Sequence, residues 1–476
     1  MNISTRLFVR LAAVVSLATP LFAQTIDSTP TPLFVEGYAG ELSYDPGDEI
    51  ALHVSTSAAK YSVEIMRLGL EDKVVHRANN IPGGEHPIPE KASSHGCNWP
   101  VSWTWKLPAG LGTGYYHVKL RAEDRGGKFV HRNVRIAEGS CFFVVRSANP
   151  GQDSRILLQL AANTYNAYNN WGGTSLYGYH GRAGVQGHRV SFDRPPRSQF
   201  GSWERHFVRW AEKAGYQLDF AVNSDLEFRP ELLQHYRLVL SLGHDEYWSA
   251  PMRDNLEAFI RAGGNAVFFS GNSVCWQIRS EDNGRAQVCW KQAYHMDPVY
   301  KTDDHSTLST LWSHHLVKRP ENQLTGVGFY WGGYHRSHGQ YMKGSGAFTV
   351  HRPDHWIYAQ TGLKRDDSFG GKDTIVGYEC DGCEIEWRDG LPYPTHKDGT
   401  PKDFTILGTA PAKWHPDDSE WYDRWEKGHT GNAVIGIYQN GGTVITTGTT
   451  DWSHGLRGND KQVVQITRNI LDRLSK

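Results

Sequence analysis

Hydrophobic and polar positions alternate in short runs over the first third of the chain, from about residue 31 to residue 147. The clearest runs read EIALHVST, YSVEIMRLG, GYYHVKLRAED and SCFFVVRS, and the turn-forming segments DPGD and AGLGTG lie between them. Alternation with a period of two indicates strands with one buried face. Several such strands, separated by turns at this spacing, predict an all-β, immunoglobulin-like sandwich over residues 31–147.

Beyond the segment SANPGQ, which we interpret as a linker, apolar runs alternate with segments of helical period. RILLQLAANT, QLDFAV, YRLVLSLG and NAVFFSGN indicate buried strands, whereas WERHFVRWAEKAG, APMRDNLEAFIRAGG and DKQVVQITRNILDRL indicate helices. The second helix is clearly marked, because Ser249 can cap it, Pro251 suits its first turn and Gly263 suits its end. This order predicts an α/β domain over residues 152–476, with a mostly parallel sheet sandwiched by helices.

Titratable residues cluster where the strand YRLVLSLG ends. Ligands of parallel α/β sheets bind beyond the carboxyl ends of the strands, so a ligand crevice is predicted to be faced by His244, Asp245, Glu246 and Tyr247. His244 and Glu246 are candidates for proton transfer. In the alternative interpretation, the acids only cap the following helix and His244 fills a turn.

Two further segments carry candidate site residues. Glu204 and His206 fall in the first turn of the helix WERHFVRWAEKAG, which begins at the same edge of the predicted sheet, and Glu204 is a third candidate for proton transfer. Glu379 follows the apolar run TIVGY. The alternatives are a surface capping role for Glu204 and His206 and a structural position at a sheet edge for Glu379.

A loop rich in Asn, Gly and Tyr follows the first predicted strand of the α/β domain, over residues 163–181. Its residues Tyr168, Asn169 and Tyr177 are candidates for lining a polar substrate pocket. The segment carries no obvious nucleophile, and it is equally typical of a polar surface loop.

The first 23 residues have the features of a secretory signal peptide. Arg6 and Arg10 precede the apolar stretch from Leu11 to Leu17, and Ala23 suits cleavage. This stretch is too short to span a bilayer, and no later segment approaches about 20 apolar residues, so no membrane insertion is expected. The sequence therefore predicts a protein of the periplasm or the exterior.

Six cysteines in an exported chain permit three disulfides. The pairings that close locally are Cys275 with Cys289 and Cys380 with Cys383, which leaves Cys97 to pair with Cys141. Cys380 and Cys383 could instead form a redox-active pair or half of a zinc site.

The balanced charge of the chain and the absence of several catalytic motifs limit the reactions that it can be expected to catalyse. The chain has 50 Lys and Arg against 51 Asp and Glu and no long run of one sign, which argues against a nucleic-acid or anionic-membrane partner. It lacks the G-x-S-x-G, H-E-x-x-H, P-loop and G-x-G-x-x-G motifs. The chemistry that remains is metal-assisted, acid–base, or none.

Several segments together resemble one known family. GHDEYWS, followed by MRDNLEAFIRAGGNAVFFSGNSVCWQIR, and the segments AYNNWGGTSLY, NQLTGVG and VGYECDG are similar to the C-terminal domain of the N,N-dimethylformamidase large subunit. The likeness runs from about Arg155 to the end of the chain. It implies a fold similar to class I glutamine amidotransferases, with β-sandwich material ahead of it.

The resemblance also implies a metal site. In the family, a mononuclear iron is held by two tyrosinates and one glutamate and serves amide hydrolysis, since ferric iron suits phenolate and carboxylate oxygen. The motifs carry one tyrosine over to Tyr247 and the glutamate to Glu379. By the family's spacing, the other tyrosine should stand at the position of His206. A histidine ligand would also suit zinc, so zinc is an alternative to iron. Tyr168 is a more distant candidate for the missing tyrosine ligand. Asp245, where the amidase has proline, is a further departure.

Two functions follow as expectations. The first is an exported, metal-dependent hydrolase of an amide-type C–N bond, with His206, Tyr247 and Glu379 as ligands of iron or zinc and a small-molecule amide as substrate. The second is a non-catalytic periplasmic binding protein for a saccharide or a peptidoglycan fragment, which the predicted export and the 17 Trp favour.

Overall fold

The computed structural model describes residues 32–124, 135–180, 184–335, 345–414 and 430–476. The predicted signal peptide lies outside the described residues, so it stays a prediction. Within the described ranges, no helix combines the length and the apolar character needed to cross a membrane.

Residues 35 to 145 form two sheets that pack face to face. One sheet has the order β1-β3-β6 and the other the order β2-β8-β7-β4-β5. Alternate residues of β3, namely Ile50, Leu52 and Val54, point into a core shared with Val63 and Val118 of the second sheet. The elements are β1 (Val35–Ala39), β2 (Ser43–Tyr44), β3 (Glu49–Thr56), β4 (Lys60–Leu68), β5 (Lys73–Pro82), α1 (Ala92–His95), β6 (Trp103–Lys106), β7 (Gly114–Asp124) and β8 (Arg135–Val145).

Strands and helices then alternate up to Gly271, as the apolar periodicity predicts. α5 begins as expected, because the Ser249 hydroxyl accepts a hydrogen bond from the Met252 amide at 3.3 Å and Pro251 lies in the first turn. The elements are β9 (Ile156–Leu160), α2 (Ala162–Ala167), β10 (Arg189–Ser191), α3 (Glu204–Lys213), β11 (Asp219–Val222), α4 (Asn223–Phe228), β12 (Leu238–His244), β13 (Tyr247–Ser249), α5 (Ala250–Arg261) and β14 (Asn265–Gly271).

The remaining part of the chain is richer in short strands. Short 3-10 segments accompany its regular elements, among them Lys291–Met296 and Trp356–Tyr358. The elements are β15 (Trp276–Glu281), β16 (Ala286–Val288), α6 (Asn322–Thr325), β17 (Gly328–Tyr334), β18 (Phe348–Val350), β19 (Ser368–Phe369), β20 (Glu379–Gly382), β21 (Ile385–Arg388), β22 (Leu391–Pro394), β23 (Thr405–Lys413), β24 (Thr430–Asn440), β25 (Gly442–Thr446), α7 (Trp452–Arg457) and α8 (Lys461–Leu474).

The large central sheet has 11 strands and two different halves. Its main path is β11-β9-β12-β14-β25-β24-β23-β17-β20. The first five of these strands pair in parallel, whereas every pairing from β25 onward is antiparallel. The sheet is therefore mixed rather than mostly parallel, and the likeness to glutamine amidotransferases and to immunoglobulin domains stays a prediction.

Helices cover both faces of the parallel half. Phe207 of α3 and Ile466 of α8 pack on the face that carries Leu240 of β12, and Met252 of α5 packs on the face that carries Val239. Alternate residues of each strand thus enter different cores, as the continuous apolar runs require. The sandwich joins the first of these cores, since its Tyr115 stacks on Phe200 with ring centroids 4.0 Å apart.

The six cysteines are all free and buried, so the predicted disulfides are not formed in the structure. Cys380, in β20, and Cys383, just after the end of that strand, belong to different hydrophobic cores. Cys97 and Cys141 also belong to separate cores, and Cys275 and Cys289 share a core without a bond.

Candidate active site

The order of the parallel strands marks one position in the sheet. The chain runs from β9 outward to β11 and then returns to the other side of β9 as β12. The winding direction therefore reverses between β9 and β12. Crevices at such points are the usual ligand sites of doubly wound sheets. His244 is the last residue of β12, Glu246 lies in the segment that follows, and β20 begins at the same edge with Glu379.

His244 lies between two carboxylates. Its Nε2 is 2.9 Å from Glu379 Oε2 and 3.2 Å from Glu246 Oε2, and all three side chains are almost fully buried. Burial alone would lower the pKa of His244, but Glu379 and Glu246 together raise it to about 10. The residue is therefore an imidazolium, fixed by two counter-charges.

Gly243 leaves room for the Trp203 side chain to pack close to His244. It has a φ of +67°, and a Cβ there would lie 2.4 Å from the Cβ of Trp203. The rings of Trp203, Tyr168 and Tyr378 lie 5.8, 5.5 and 5.7 Å from the His244 ring. These three side chains are partly exposed, so the buried charges lie directly beneath an aromatic rim.

The carboxylate of Glu246 is held by three donors besides the imidazole. Trp276 Nε1 donates to Oε1 at 2.7 Å, and the hydroxyls of Tyr168 and Tyr177 lie 3.0 and 2.9 Å from the carboxylate. Burial alone would raise the pKa of Glu246, but His244 and the donors around it lower it overall. Glu246 is therefore an ionised anchor with a fixed orientation.

A buried lysine continues this network. Lys291 Nζ donates to the Tyr247 hydroxyl at 3.0 Å, and that hydroxyl donates to the Tyr177 hydroxyl at 2.7 Å. The same ammonium lies 3.3 Å from the ring centroid of Tyr177 and 4.6 Å from that of Trp276, which are close cation–π distances. Burial lowers the pKa of Lys291 to about 8, so the amine is still mostly charged at pH 7.

Glu379 is the more accessible of the two carboxylates. Asn272 Nδ2 donates to its Oε2 at 3.2 Å, the same oxygen that contacts His244, and the residue is 4% exposed. Burial, reinforced by the nearby carboxylates, raises the pKa of Tyr168 and Tyr378 well above the usual value, so both phenols keep their protons. The site thus combines one accessible carboxylate, one imidazolium and several neutral hydroxyl donors.

The structure brings six of the nine predicted site residues into this network: Tyr168, Tyr177, His244, Glu246, Tyr247 and Glu379. Glu204 is buried nearby and accepts a hydrogen bond from Tyr165, and burial raises its pKa to about 7. Asn169 instead donates to the carbonyl of Pro195 at 3.0 Å.

His206 lies elsewhere, half-exposed on α3, with its ring 6.0 Å from that of His454 on α7. Residues 204 and 206 are two apart in a helix and differ by about 200° around its axis, so they cannot face the same side. Because Glu204 points inward, His206 points away from Glu379, and Trp203 is the residue of this segment that reaches His244.

Four residues of the network were not predicted from the sequence: Trp203, Asn272, Trp276 and Lys291. Asn272 and Trp276 flank the turn after β14, a position that the strand-end argument could have included. Lys291 belongs to a stretch without clear periodicity, where its left-handed backbone conformation, with φ of +55°, leaves no sequence signal.

The predicted metal ligands do not converge. His206 packs against α7, Glu379 contacts the imidazolium, and the Tyr247 hydroxyl is engaged by a tyrosine and a lysine. Over the described ranges, no group of three or more His, Cys, Asp or Glu side chains is arranged to hold a metal ion. The set His206, Tyr247 and Glu379 therefore does not fit iron or zinc.

Two curated relatives are similar to this chain. The N,N-dimethylformamidase beta subunit of Paracoccus aminophilus is 24% identical over 443 residues, which cover 80% of this chain and 55% of the relative. The same subunit of an Alcaligenes sp is 25% identical over 216 residues, or 38% of this chain and 28% of the relative. The chain thus spans about half or less of the length of these relatives.

Similarity to solved structures is low. The sporulation control protein Spo0M from Bacillus subtilis has a TM-score of 0.17 and 15% identity, and the match covers 25% of this chain and 51% of that protein.

The family model described as "N,N-dimethylformamidase beta subunit-like, C-terminal" matches residues 62–464. The match begins within β4, so it includes most of the sandwich, whereas the sequence motifs placed its start near Arg155. The chain therefore belongs to the N,N-dimethylformamidase beta subunit-like, C-terminal family.

Proposed function

We propose that this protein hydrolyses an amide-type C–N bond at the cluster of His244, Glu246 and Glu379. The observation that carries the proposal is the imidazole nitrogen 2.9 and 3.2 Å from two carboxylate oxygens, at the point of sheet reversal. The names of the two relatives support the same reaction class.

The geometry suits a division of roles. Glu379 is the less buried of the two carboxylates, so it acts as the general base that takes a proton from the attacking water. The neutral phenol of Tyr378, on the partly exposed rim, donates to the carbonyl oxygen as negative charge develops there, whereas the Tyr168 hydroxyl already donates to Glu246. Glu246 does not touch the substrate in this scheme, since its oxygens are already bonded, and it orients His244 instead.

The imidazolium completes the proton balance. Water oxygen bonds to the carbonyl carbon while its proton moves to Glu379, and His244, 2.9 Å from that carboxylate, passes a proton to the departing nitrogen as the C–N bond breaks. Glu379 then returns its proton to His244. The products are a carboxylic acid and an amine, and we place this reaction outside the cytoplasm on the strength of the predicted signal peptide.

Turnover of small amides tests this function. The purified protein is incubated with formamide, acetamide and N,N-dimethylformamide, and released amine is measured. We expect Glu379→Gln and His244→Asn to reduce the rate at least about 100-fold, as loss of a general acid or base does. Glu204→Gln is the matched control, because Glu204 is an equally buried acid bonded to Tyr165 rather than to His244, and it should leave the rate within about threefold.

The alternative function is binding without turnover. The partly exposed aromatic rim of Trp203, Tyr168 and Tyr378 favours it, because flat aromatic faces are well suited to stacking on a sugar. Binding of a saccharide or peptidoglycan fragment, with no amine released from any amide in the panel, would replace the hydrolase proposal. Equal rates in the Glu379→Gln variant and the wild type would also contradict it.

A further inference from the structure

A groove on the helical face of the α/β region has an unusual charge pattern. It lies between α3, α7, α8 and the turn that follows β4, and it encloses about 660 Å³. Four cations line it, namely Arg209, Lys213, Arg457 and Arg468, and no carboxylate is found among its described lining residues. We call this cavity the basic groove.

The charge of the basic groove is only partly balanced by the acids nearby. Asp72 is bonded to Arg205 at 2.5 Å, and Arg209 lies farther away, at 3.9 Å from the same oxygen. Asp472 accepts a hydrogen bond from the Tyr216 hydroxyl at 2.7 Å. The whole chain has nearly equal numbers of cations and anions, so four lining cations without a lining acid depart from its average.

The groove also contains apolar surface. Trp210 and Leu456 are buried beneath it, and the guanidinium of Arg468 lies 5.9 Å from the Trp210 ring centroid. Cavities of about 300–1,000 Å³ with an apolar floor and a few polar groups are typical small-molecule sites. The planar guanidinium group of arginine binds two oxygens of a phosphate or a carboxylate in a bidentate manner.

We propose that the basic groove binds a small organic oxyanion, in which a phosphate or carboxylate group is attached to a short apolar body. The anion contacts Arg457 and Arg468, and the apolar body packs over Trp210 and Leu456. This site is separate from the His244 cluster, and its function does not depend on amide hydrolysis.

Calorimetry with phenyl phosphate tests the proposal on the full chain. We expect one site per chain with a Kd below about 1 mM, weakened by added NaCl because exposed charges are screened. Removing two charge-assisted contacts with Arg457→Gln/Arg468→Gln should weaken binding at least about tenfold. Benzyl alcohol, which lacks the charge, should not bind, and benzoate reports whether a carboxylate replaces the phosphate.

The matched control is Arg155→Gln/Arg237→Gln, which removes the same charge from exposed positions outside the groove. It should bind phenyl phosphate as the wild type does, and thermal unfolding checks that both double variants fold. The proposal is overturned if the wild type binds neither phenyl phosphate nor benzoate. It is also overturned if the control weakens binding as much as the groove variant does. Inorganic phosphate binding as tightly as phenyl phosphate would remove the apolar part of the proposal.

Discussion

Two buried polar clusters lie next to each other at the ends of β12 and β14, and they hold their acids in opposite ways. The charged cluster consists of His244, Glu246, Lys291 and Glu379, with the tyrosines between them. The hydroxyl cluster runs from one acid to another through serines whose oxygens lie 2.8–3.1 Å apart: Asp245, Ser241, Ser270, Ser273 and Asp381.

The difference between the clusters is the presence of cations. Glu246 has an imidazolium and an ammonium nearby, and its pKa is lowered despite complete burial. Asp245 and Asp381 have hydroxyl and amide donors instead, and burial raises their pKa values to about 6 and about 7. Neighbouring buried acids thus divide into a set that cations keep ionised, which suits proton transfer, and a set with raised pKa values held by hydroxyl and amide donors, which links the strand ends.

Glu246→Gln should break the charged cluster most severely. It leaves His244 and Lys291 buried with one counter-charge fewer, and removing one partner of a buried ion pair typically costs about 3–5 kcal/mol. Urea unfolding at pH 7 measures the loss of unfolding free energy. A loss below about 1 kcal/mol, the range of exposed ion pairs, would show that Glu246 is not an ionised anchor.

Lys291→Met should have the second largest effect. It keeps the length of the side chain but removes the bond to Tyr247 and the cation–π contacts with Tyr177, so the free energy of unfolding should fall by about 3 kcal/mol. Differential scanning calorimetry measures this loss. The matched control is Lys60→Met, an exposed strand-end lysine of the sandwich, for which the change should stay within about 0.5 kcal/mol.

These clusters also mark how far the sequence predicts this molecule. The apolar runs predict β9, β12, β14 and α5, and the strand-end rule places His244 and Glu246 at a common edge. The complete charged cluster could not be predicted in this way, because Lys291 comes from a segment without periodicity and contacts Tyr247, which lies 44 residues away in the sequence. The antiparallel half of the sheet was missed for two reasons. Strands such as β18 and β20 are only three and four residues long, too short to show a period. The longer β23 and β24 are buried along most of their length, so they lack a regular polar alternation.

Asp381→Asn probes the hydroxyl cluster through pH. The pKa of Asp381 is about 7 in the folded chain, against 3.8 for a free aspartate side chain. Between pH 3.8 and pH 7, the carboxyl group is therefore protonated in the folded state but ionised in the unfolded state. The stabilisation from this proton is complete below about pH 4 and is lost as the pH rises to 7. Asparagine resembles the protonated acid, so the variant should gain on the order of 2 kcal/mol over the wild type between pH 4 and pH 8.

Urea unfolding across that pH range measures the gain. If instead the wild type gains stability relative to Asp381→Asn as the pH rises, the carboxylate is ionised and paired, and the two clusters do not differ in the way described.

Ser241→Ala should have the smallest effect. The Ser241 hydroxyl donates to Asp245 at 2.8 Å and lies 3.1 Å from the Ser270 hydroxyl, and loss of one such bond costs about 1 kcal/mol. Ser62→Ala, which removes a long hydroxyl contact of 3.4 Å in the sandwich, is the control and should cost less. Urea unfolding at pH 6 measures both.

The double variant Ser241→Ala/Glu246→Gln then asks whether the clusters are separate. Among the described residues, Ser241 bonds Asp245 and Ser270, and Glu246 bonds His244, Trp276 and two tyrosines, so the two sets share no partner. Independent sites add within about 0.5 kcal/mol, and we expect the same here even though Asp245 and Glu246 are adjacent in the chain. A coupling above about 1 kcal/mol would mean that the hydroxyl cluster supports the orientation of the charged one, and Ser241→Ala should then also slow amide hydrolysis.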